Sequence, residues 1–258
     1  MILAIDIGNT TMAFGVMRQL SVMHQERIDT VQKGNKVYLQ VKKTLRGLIK
    51  KYPLIRKVII CSVVPSALVF VEKGVKEVLH INPVVVGRQM VVPIKNGYNN
   101  PAQVGQDRLV GAYAGLKLYG KPLIIIDLGT AITFDIVSVK GEYLGGVIVP
   151  GIRLSAESLF LKTALLPKID IKAPDAVIGK TTQESILSGL FYGYGSLCNG
   201  MVDLLSRRIS SRRSKVLPHV IMTGGHTRLM KKFISPKIRI TDEHLVFKGM
   251  VLLLTGLK

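Results

Sequence analysis

Two segments of the sequence place an aspartate and a glycine turn directly after an apolar run. They are residues 2–16 (ILAIDIGNTTMAFGV) and residues 123–137 (LIIIDLGTAITFDIV). A glycine lets main-chain N–H groups approach a phosphate, and Asn and Thr side chains add hydrogen-bond donors without bulk. Asp6, at the end of the first run, could hold Mg²⁺ directly or through water. The pattern favours phosphate chemistry, although one such turn alone is equally typical of a tight hairpin with a capping aspartate.

The second segment repeats the first. Asp127 lies 121 residues after Asp6, and the same offset pairs several other positions. Two copies of strand, Asp-x-Gly turn and strand predict a duplicated domain. Two such hairpins that face each other would form a cleft with one acidic turn on each wall. The other pairs in this alignment are Ile5 with Ile126, Gly8 with Gly129 and Val16 with Val137.

The elements around the two hairpins alternate between strands and helices, which predicts an α/β fold. We place the boundary near Gly120, giving domains of residues 1–119 and 120–258, with a final helix that can pack across the boundary. The helix predicted over 185–205 contains four glycines, which weaken a helix interior but allow close helix packing. The other predicted strands are 57–62, 83–87, 141–149 and 219–222, and the other predicted helices are 35–51, 65–79, 106–117, 152–165 and 245–254.

The chain carries a formal net charge of +20, from 36 basic and 16 acidic residues. Such a field attracts nucleic acid, anionic membranes or anionic substrates. The basic residues form short clusters without the aromatic and basic interleaving of an RNA-binding surface. We therefore interpret the clusters as solvated helix faces. They lie at residues 42–43, 50–51, 207–208, 212–215 and 231–232.

Three features predict a cytoplasmic protein. The 48% of residues that are hydrophobic argue against global disorder. No uncharged apolar run has the length of a membrane span, and no basic segment precedes the first apolar run as in a secretory signal. Cys61 and Cys198 have apolar or small neighbours, which is typical of reduced core cysteines.

Two weaker motifs accompany the hairpins. Asp107 and Arg108 lie at a predicted loop-to-helix junction, where a helix cap and a surface arginine are also common. A predicted strand ends in Thr223-Gly224-Gly225, and this glycine pair could lie flat against an adenosine. The sequence contains neither the GxxxxGK[ST] pattern of a P-loop nor a GxGxxG after a strand.

Together these signatures resemble the actin-like ATPase and sugar-kinase superfamily, and within it the type III pantothenate kinases. The resemblance runs from residue 2 to about residue 250, and its most specific part is Gly105-x-Asp107-Arg108 ahead of the second Asp-x-Gly-Thr. It implies two duplicated actin-like (ribonuclease H-like) domains around an ATP cleft. The matching motifs are DIGNT (6–10), SVVP (62–65), YNNPAQVGQDR (98–108), DLGTA (127–131), GGVIVPG (145–151) and TGG (223–225).

The resemblance implies ATP-dependent phosphorylation of pantothenate to 4′-phosphopantothenate, the first step of coenzyme A biosynthesis. Phosphorylation of an alcohol needs an acceptor at the hydroxyl and cations on the transferring phosphoryl group. Asp107 matches the catalytic aspartate of the family. Arg108 beside it could hold the carboxylate of pantothenate through a bidentate pair.

The resemblance also implies the ligand contacts. Asp127 matches the ligand of a monovalent cation, K⁺ or NH₄⁺, which would supply positive charge near the nucleotide phosphates. Thr182 matches a residue that contacts pantothenate, and Thr181 is the near alternative. The structural interpretation of both threonines is helix N-capping. The implied nucleotide contacts are Asp6, Ile7, Gly8, Asn9, Thr10, Thr11, Met12, Ala13 and Thr130. The implied pantothenate contacts are Tyr98, Gly105, Gln106, Asp107, Arg108 and Thr182.

The family is typically a homodimer, and residues 145–151 and 185–205 are the candidate contact segments. One departure from the family is His226 after the TGG turn, where relatives more often carry a small acidic or polar residue, and it concerns contacts to the nucleotide base.

Two other functions remain compatible with the sequence. One is a kinase of another small alcohol, and the other is a basic nucleic-acid-associated accessory factor for transcription. We rank the pantothenate kinase first.

Overall fold

The computed structural model describes residues 1–30, 35–209, 216–235, 238 and 240–256. The chain divides into two compact units. Unit 1 contains Met1–Leu118 together with the segment that begins at His244, and unit 2 contains Tyr119–Glu243. The C-terminal helix, which the sequence placed in the range of the second domain, therefore belongs to unit 1. The basic cluster at 212–215 lies outside the described residues.

Both units combine strands and helices. The strands are β1 Ile2–Ile7, β2 Thr11–Arg18, β3 Ser21–Asp29, β4 Lys57–Ser62, β5 Val84–Val85, β6 Leu123–Leu128, β7 Ala131–Val137, β8 Tyr143–Pro150, β9 His219–Thr223 and β10 Ile240–Thr241. The helices are α1 Asn35–Lys51, α2 Pro65–Leu79, α3 Gln106–Tyr119, α4 Ile152–Lys162, α5 Thr182–Ser188, α6 Tyr194–Ile209, α7 Thr227–Met230 and α8 Leu245–Thr255.

The two sheets have the same topology, as a duplicated domain requires. The strand order is β3-β2-β1-β4-β5 in unit 1 and β8-β7-β6-β9-β10 in unit 2. In each sheet the first three strands are antiparallel and the last two join in parallel. Strands β1 and β6 also share one sequence of buried and half-buried positions. These correspondences confirm the predicted α/β fold with two duplicated sheets.

The strand register corrects one detail of the predicted repeat. Ile5 faces Phe14 in unit 1, and Ile126 faces Phe134 in unit 2. The offset is therefore 121 residues for the first strand but 120 for the second. The cause is a shorter turn, with three residues between the paired Leu128 and Ile132 where unit 1 has four. Val16 consequently corresponds to Ile136 and not to Val137.

A second register feature supports this alignment. The pairing of β2 with β3 shifts between Val16 and Met17, and the pairing of β7 with β8 shifts between Ile136 and Val137. With the offset of 120 these two irregularities lie at the same place in both hairpins. The two hairpins therefore share the position of this irregularity as well as their register.

The two faces of the first sheet pack against different helices. Leu3, Ile5 and Ile7 point into a core that contains side chains of α1 and α2. The opposite face receives α8, because a Cβ added at Gly15 would lie 2.7 Å from the Phe247 ring. Helix α8 in turn packs on α3, where a Cβ at Gly249 would lie 2.6 Å from the carbonyl oxygen of Val110. Asp6 shares the α8 face, because strand side chains alternate between faces.

The structure differs from the sequence prediction at several elements. The short strand β10 and the short helix α7 were not predicted. Strand β3 was not predicted, because it is an edge strand with polar residues on both faces. The single helix expected over 185–205 is divided into α5, a π-helical turn at Gly189–Gly193 and α6. Among its glycines, Gly195 has the close packing role, because a Cβ there would lie 2.2 Å from the carbonyl oxygen of Phe233.

Two further sequence expectations can be compared directly with the structure. Within the described residues, no helix is long and apolar enough to span a membrane. Cys61 and Cys198 are buried and free, as expected for core cysteines.

The corresponding phenylalanines should stabilise their units to a similar degree. Phe14 and Phe134 are both fully buried. We expect Phe14→Ala and Phe134→Ala each to lower the free energy of unfolding by about 3–5 kcal/mol, because each leaves a cavity in a closed core. Urea titration followed by circular dichroism measures this loss. Leu39→Ala, at an exposed position of α1, is the control and should change stability by less than about 0.5 kcal/mol. A loss below about 1 kcal/mol at Phe14 or Phe134 would contradict the prediction.

Candidate active site

The first glycine turn is open to solvent but held firmly in place. The N–H of Gly8 donates to the carbonyl of Thr11 at 3.0 Å. Thr30, which follows β3, donates from its hydroxyl to the carbonyl of Gly8 at 2.8 Å and from its N–H to the carbonyl of Thr10 at 2.8 Å. Asn9, Thr10 and Thr11 are exposed. The turn is therefore a rigid loop whose outer groups can reach a ligand.

Not every predicted nucleotide contact has an accessible side chain. Ile7 and Met12 are fully buried in the core of unit 1, so they could reach a nucleotide only through main-chain atoms. Ala13 lies opposite Asp6 in the register of β1 with β2.

Asp6 and Asp107 lie around one buried thiol. In the parallel pairing of β1 with β4, Asp6 is the neighbour of Cys61. The pKa of the Cys61 thiol lies well above its ordinary value, first because of burial and then because the negative charges of Asp6 and Asp107 oppose a thiolate. The charges of the predicted magnesium ligand and the predicted base, which are about 100 residues apart in the sequence, therefore both act on one thiol of unit 1.

Asp107 lies in the first turn of α3, with its carboxylate folded back towards the helix start. Its Oδ1 accepts the N–H of Arg108 at 2.8 Å, so the capping role considered from the sequence is present in part. Burial raises the pKa of Asp107 above its ordinary value, although the Arg108 N–H and the Arg108 charge act in the opposite direction. A half-buried carboxylate with a raised pKa is a better proton acceptor than a solvated aspartate.

Gly105 makes room for this carboxylate. A Cβ added at Gly105 would lie 2.5 Å from Oδ1 of Asp107 and 3.4 Å from a methyl group of Val63. The first distance is shorter than any contact a real Cβ makes, so a side chain here would displace Asp107. The glycine of the Gly-x-Asp-Arg motif is thus explained by packing around the carboxylate.

The other predicted pantothenate contacts of unit 1 surround the start of α3. Gln106 packs on the turn after β5, because its Cδ lies 3.0 Å from the position a Cβ would take at Gly87. Tyr98 is half-buried in the loop before α3, and its N–H donates to the side chain of Asn96 at 3.0 Å. Arg108 is half-buried beside Asp107.

In unit 2, Asp127 lies under a turn formed by glycines. The Gly224 φ angle is +93°, and a Cβ there would lie 2.3 Å from Oδ1 of Asp127. A Cβ at Gly129 would lie 3.3 Å from the same oxygen. Thr130, the predicted nucleotide contact, is exposed, and its carbonyl accepts the N–H of Gly151 at 3.0 Å. The absence of side chains at Gly129 and Gly224 leaves a cradle around the carboxylate.

The TGG motif is part of the same arrangement. Thr223 is the register neighbour of Asp127 in the pairing of β6 with β9. The N–H of His226 donates to the carbonyl of Leu128 at 3.0 Å, which ties the turn to the end of β6. The residue that departs from the family pattern therefore has a main-chain role that any amino acid except proline could fill.

The two candidate threonines differ in their local roles. The hydroxyl of Thr181 accepts the N–H of Glu184 at 3.2 Å, and the N–H of Lys180 donates to the Glu184 carboxylate at 2.8 Å. Thr181 is therefore the N-cap of α5 in a variant of the capping box. Thr182 is the first residue of α5 and is exposed. N-capping accounts for the hydroxyl of Thr181, and Thr182 remains the predicted substrate contact.

A buried polar group on the second hairpin was not predicted from the sequence. Asp135 on β7 is only 3% exposed, and it accepts the hydroxyl of Tyr143 at 2.8 Å and the hydroxyl of Thr133 at 3.2 Å. A possible signal was present, because Thr133 and Asp135 interrupt an apolar strand at alternating positions. That alternation places both side chains on the face of Asp127.

A cation bound at either aspartate would need ligands other than acidic, histidine or cysteine side chains. Across the described parts of the chain, no three or more such side chains gather closely enough to hold a metal ion. Mg²⁺ is often bound by one or two carboxylates, water and substrate phosphates, and a lone carboxylate beside a phosphate-sized turn suits this at Asp6. At Asp127 the glycine turns bring backbone close to one carboxylate, so a cation there would need hydroxyl, carbonyl or water oxygens as further ligands.

Solved structures place the fold in a known class. A protein from Campylobacter jejuni proposed to be a Baf family transcriptional activator matches with a TM-score of 0.58, at 19% identity over 98% of each chain. A protein from Sinorhizobium meliloti proposed to be a 2-dehydro-3-deoxygalactonokinase matches with a TM-score of 0.56, at 11% identity over 99% of each chain. With its duplicated sheets and acidic hairpin turns, the protein has the fold of the actin-like ATPases and sugar kinases.

Sequence comparison gives the family. Residues 2–204 match the family model described as type III pantothenate kinase. The type III pantothenate kinase of Persephonella marina is 42% identical over 254 residues, which cover 97% of this chain and 96% of that protein. The chain belongs to the type III pantothenate kinase family, which confirms the family and the enzyme class predicted from the motifs.

Gly105 should be required for the position of Asp107. We expect Gly105→Ala to reduce kinase turnover at least about tenfold, because a displaced catalytic group costs rate steeply. Gly111→Ala, inside α3 with open space around its Cβ position, is the control and should retain turnover. Steady-state kinetics of the two purified variants gives the comparison, with circular dichroism to show that both fold. Equal activity of the two variants would contradict this role of Gly105.

Proposed function

We propose that the protein transfers the γ-phosphoryl group of ATP to the primary hydroxyl of pantothenate, producing 4′-phosphopantothenate at the entry to coenzyme A biosynthesis. The observation that carries the proposal is that Asp6 is the strand neighbour of Cys61 and that the charges of Asp6 and Asp107 both raise the pKa of this thiol. One carboxylate suits a cation on the phosphates and the other suits the acceptor hydroxyl. Family membership supports the same substrate pair.

Asp107 would serve as the hydrogen-bond acceptor and base at the hydroxyl. As the hydroxyl oxygen bonds to the γ-phosphorus, the bond from that phosphorus to the bridging oxygen of ADP breaks. The hydroxyl proton passes to the Asp107 carboxylate. Its raised pKa supports this role, because the base is then closer in pKa to the operating pH. Positioning and charge stabilisation supply most of the catalysis in such transfers.

The substrate side of the site would consist of the segment before and at the start of α3. Arg108 is suited to bind the carboxylate of pantothenate through two parallel hydrogen bonds. Tyr98 and the Gly105–Gln106 segment would contact the remainder of the molecule, and Thr182 is the proposed contact from unit 2. Their partial exposure supports this assignment, because a substrate can reach them.

The nucleotide side would use the turn at Asp6–Ala13, with side-chain contacts from Asn9, Thr10 and Thr11, and would include Thr130. Asp6 fits Mg²⁺ through water, and Asp127 fits a monovalent cation such as K⁺ or NH₄⁺. When bound, these cations supply positive charge to the nucleotide phosphates and the transferring group. The braced Gly8 turn supports the proposal, because pre-positioned N–H groups need no rearrangement to meet an anion.

The test of the proposal is pantothenate-dependent release of ADP. We expect turnover that requires pantothenate and is stimulated by KCl, with 4′-phosphopantothenate identified by mass spectrometry. Asp107→Asn should lower kcat by about 10²–10⁴-fold or more, because it removes the general base. The control is Asp175→Asn, at an exposed loop position. Absence of pantothenate-dependent turnover in the natural enzyme would refute the proposal, and near-normal activity of Asp107→Asn would remove Asp107 from the mechanism.

The same assay has a pH signature. Asp107 must be deprotonated to accept a proton, so kcat should fall as the pH drops through its pKa. Because that pKa is raised, the midpoint should lie above the ordinary aspartate value of about 3.9. Saturating substrates at each pH separate this effect from protonation of free pantothenate.

The competing functions have weaker support. A kinase of another small alcohol would share all the features of unit 1 described above, and a panel of alcohols in the ADP assay separates it from the proposal. The basic helix α1 is the feature that favours nucleic acid, since it has no acidic residue in its sequence and exposes Lys36, Lys43, Arg46 and Lys50. Nucleic-acid association and a cytoplasmic location stay predictions.

We further propose that the protein is a homodimer that associates through unit 2. Strand β8 is an edge of its sheet and exposes Leu144 and Ile148. The following helix α4 exposes Leu161, and Leu165 beyond it is 91% exposed. Edge strands and exposed apolar side chains are common at subunit contacts. Strand β8 overlaps the segment 145–151 that the sequence indicated.

A pair of leucines tests the dimer. Leu161 on α4 and Leu39 on α1 are 66% and 64% exposed, and both lie in helices. We expect Leu161→Lys to shift the protein towards the monomer, because it places a charge in an apolar contact, and Leu39→Lys to leave the dimer intact. Sedimentation equilibrium measures the mass of each. A natural protein with the mass of one chain would refute the proposal.

A further inference from the structure

We propose that Thr133 supplies a hydroxyl ligand to the monovalent cation at Asp127, and that Asp135 is the positioning residue that orients this hydroxyl. The inference rests on the proposed function, because the cation belongs to that function. It assigns roles to two residues that the predicted site did not include.

Strand register places Thr133 next to Asp127. The two residues are direct partners in the antiparallel pairing of β6 with β7. Partners in such a pair have their side chains on the same face, with Cβ atoms about 4.5–5.5 Å apart. Thr133 is half-buried, as is Asp127. A cation held by the Asp127 carboxylate would therefore lie within reach of the Thr133 oxygen.

The hydrogen bond to Asp135 determines which way the hydroxyl faces. A threonine hydroxyl has one proton to donate and two lone pairs that can accept or bind a cation. Here the proton is donated to Oδ2 of Asp135 at 3.2 Å. With the proton directed at Asp135, the lone pairs are left for an electropositive neighbour. Asp135 thus makes the hydroxyl a better cation ligand than a freely rotating one.

Asp135 itself is fixed in place. Its other oxygen, Oδ1, accepts the hydroxyl of Tyr143 at 2.8 Å, and Tyr143 is fully buried. A nearly buried carboxylate is costly unless hydrogen bonds satisfy it. The two hydroxyl donors offset part of that cost and hold the carboxylate in one orientation. The resulting chain runs from Tyr143 through Asp135 to Thr133.

Comparison of the two copies shows that the hairpin register also forms where apolar packing takes the place of the polar chain. With the offset of 120 residues, Thr133 corresponds to Ala13 and Asp135 corresponds to Gly15. In unit 1 the space beside Gly15 is filled by the ring of Phe247. The first hairpin therefore has the same register without either polar residue. The polar pair is specific to the copy whose aspartate is the proposed monovalent-cation ligand.

The ligand chemistry favours a hydroxyl at this position. Within the described residues, no cluster of three or more acidic, histidine or cysteine side chains is available to hold a metal ion. A hard cation near Asp127 must therefore complete its shell with neutral oxygens. Thr133 is the side-chain hydroxyl that the register of β6 with β7 places directly opposite Asp127.

Four variants test the inference. Thr133→Val removes the oxygen and keeps the shape of the side chain, whereas Thr133→Ser restores the hydroxyl. Tyr143→Phe removes one donor to Asp135 but leaves the Thr133 bond. Asp135→Ala in the Tyr143→Phe background removes the orienting carboxylate without leaving a tyrosine hydroxyl unsatisfied, so the double variant is compared with Tyr143→Phe alone.

Two readouts are used for every variant. The first is the Tm with ADP present as KCl is titrated against tetramethylammonium chloride at constant ionic strength. The second is the KCl concentration that gives half-maximal kinase activity. We expect Thr133→Val and the double variant to raise the half-saturating KCl concentration about 10–100-fold, in the Tm titration and in the activity assay alike. This is the usual effect of losing a metal ligand or the residue that supports it. Thr133→Ser should stay within about twofold of the natural protein. Tyr143→Phe, which leaves the Thr133 bond in place, should raise the half-saturating KCl less than the double variant does, and it lowers the Tm at every KCl concentration.

The outcomes separate this inference from the proposed function. If the natural protein responds to KCl and Thr133→Val responds at the same concentrations, the role of Thr133 is refuted while the kinase proposal stands. If Thr133→Val is impaired but the double variant matches Tyr143→Phe, the orienting role of Asp135 is refuted. If neither Tm nor turnover of the natural protein depends on KCl, the cation site and this inference are both refuted. Pantothenate turnover in the same preparation reports on the kinase proposal separately.

Discussion

The site depends on the hydrogen-bonded register between the first two strands of each unit. Asp6 and Asp127 are each the penultimate residue of a strand whose neighbours point into an apolar core. Because side chains alternate, a slip of one residue would bury the carboxylate and turn an apolar residue towards the ligand. The fully buried rings of Phe14 and Phe134, opposite Ile5 and Ile126, oppose such a slip.

The same scaffold carries different chemistry in its two copies. In unit 1, helix α8 packs on the sheet face that carries Asp6. The second carboxylate, that of Asp107, belongs to helix α3. In unit 2 the corresponding face carries its polar groups on the strands themselves, at Thr133 and Asp135, and a glycine turn covers Asp127. The two hairpins thus share one strand register but differ in turn length and at corresponding positions such as Gly15 and Asp135.

The sequence predicted the features that depend on local pattern and motif. The strands on either side of both aspartates, the helix after Gly105 and the family itself follow from apolar runs and short motifs. The one-residue difference between the turns did not, because both hairpins contain the same Asp-x-Gly and only the strand pairing reveals the shorter loop. Strand β3 was missed because its polar edge lacks a buried face. The link between Asp135 and Thr133 was missed because it depends on which hydroxyl reaches which carboxylate, and a sequence pattern carries no distances. The cleft between the two acidic turns stays a prediction.

The position of α8 has a consequence for biosynthesis. Phe247 covers Gly15 on β2, and Gly249 packs on Val110 of α3, so residues from the beginning and the end of the chain share one core. During translation the N-terminal sheet leaves the ribosome long before this helix does. Until residues 245–255 have emerged, one face of that sheet lacks its apolar cover and stays available to chaperones or to non-native contacts. Unit 2, whose residues are continuous in the sequence, can complete its own core earlier, although it is synthesised second.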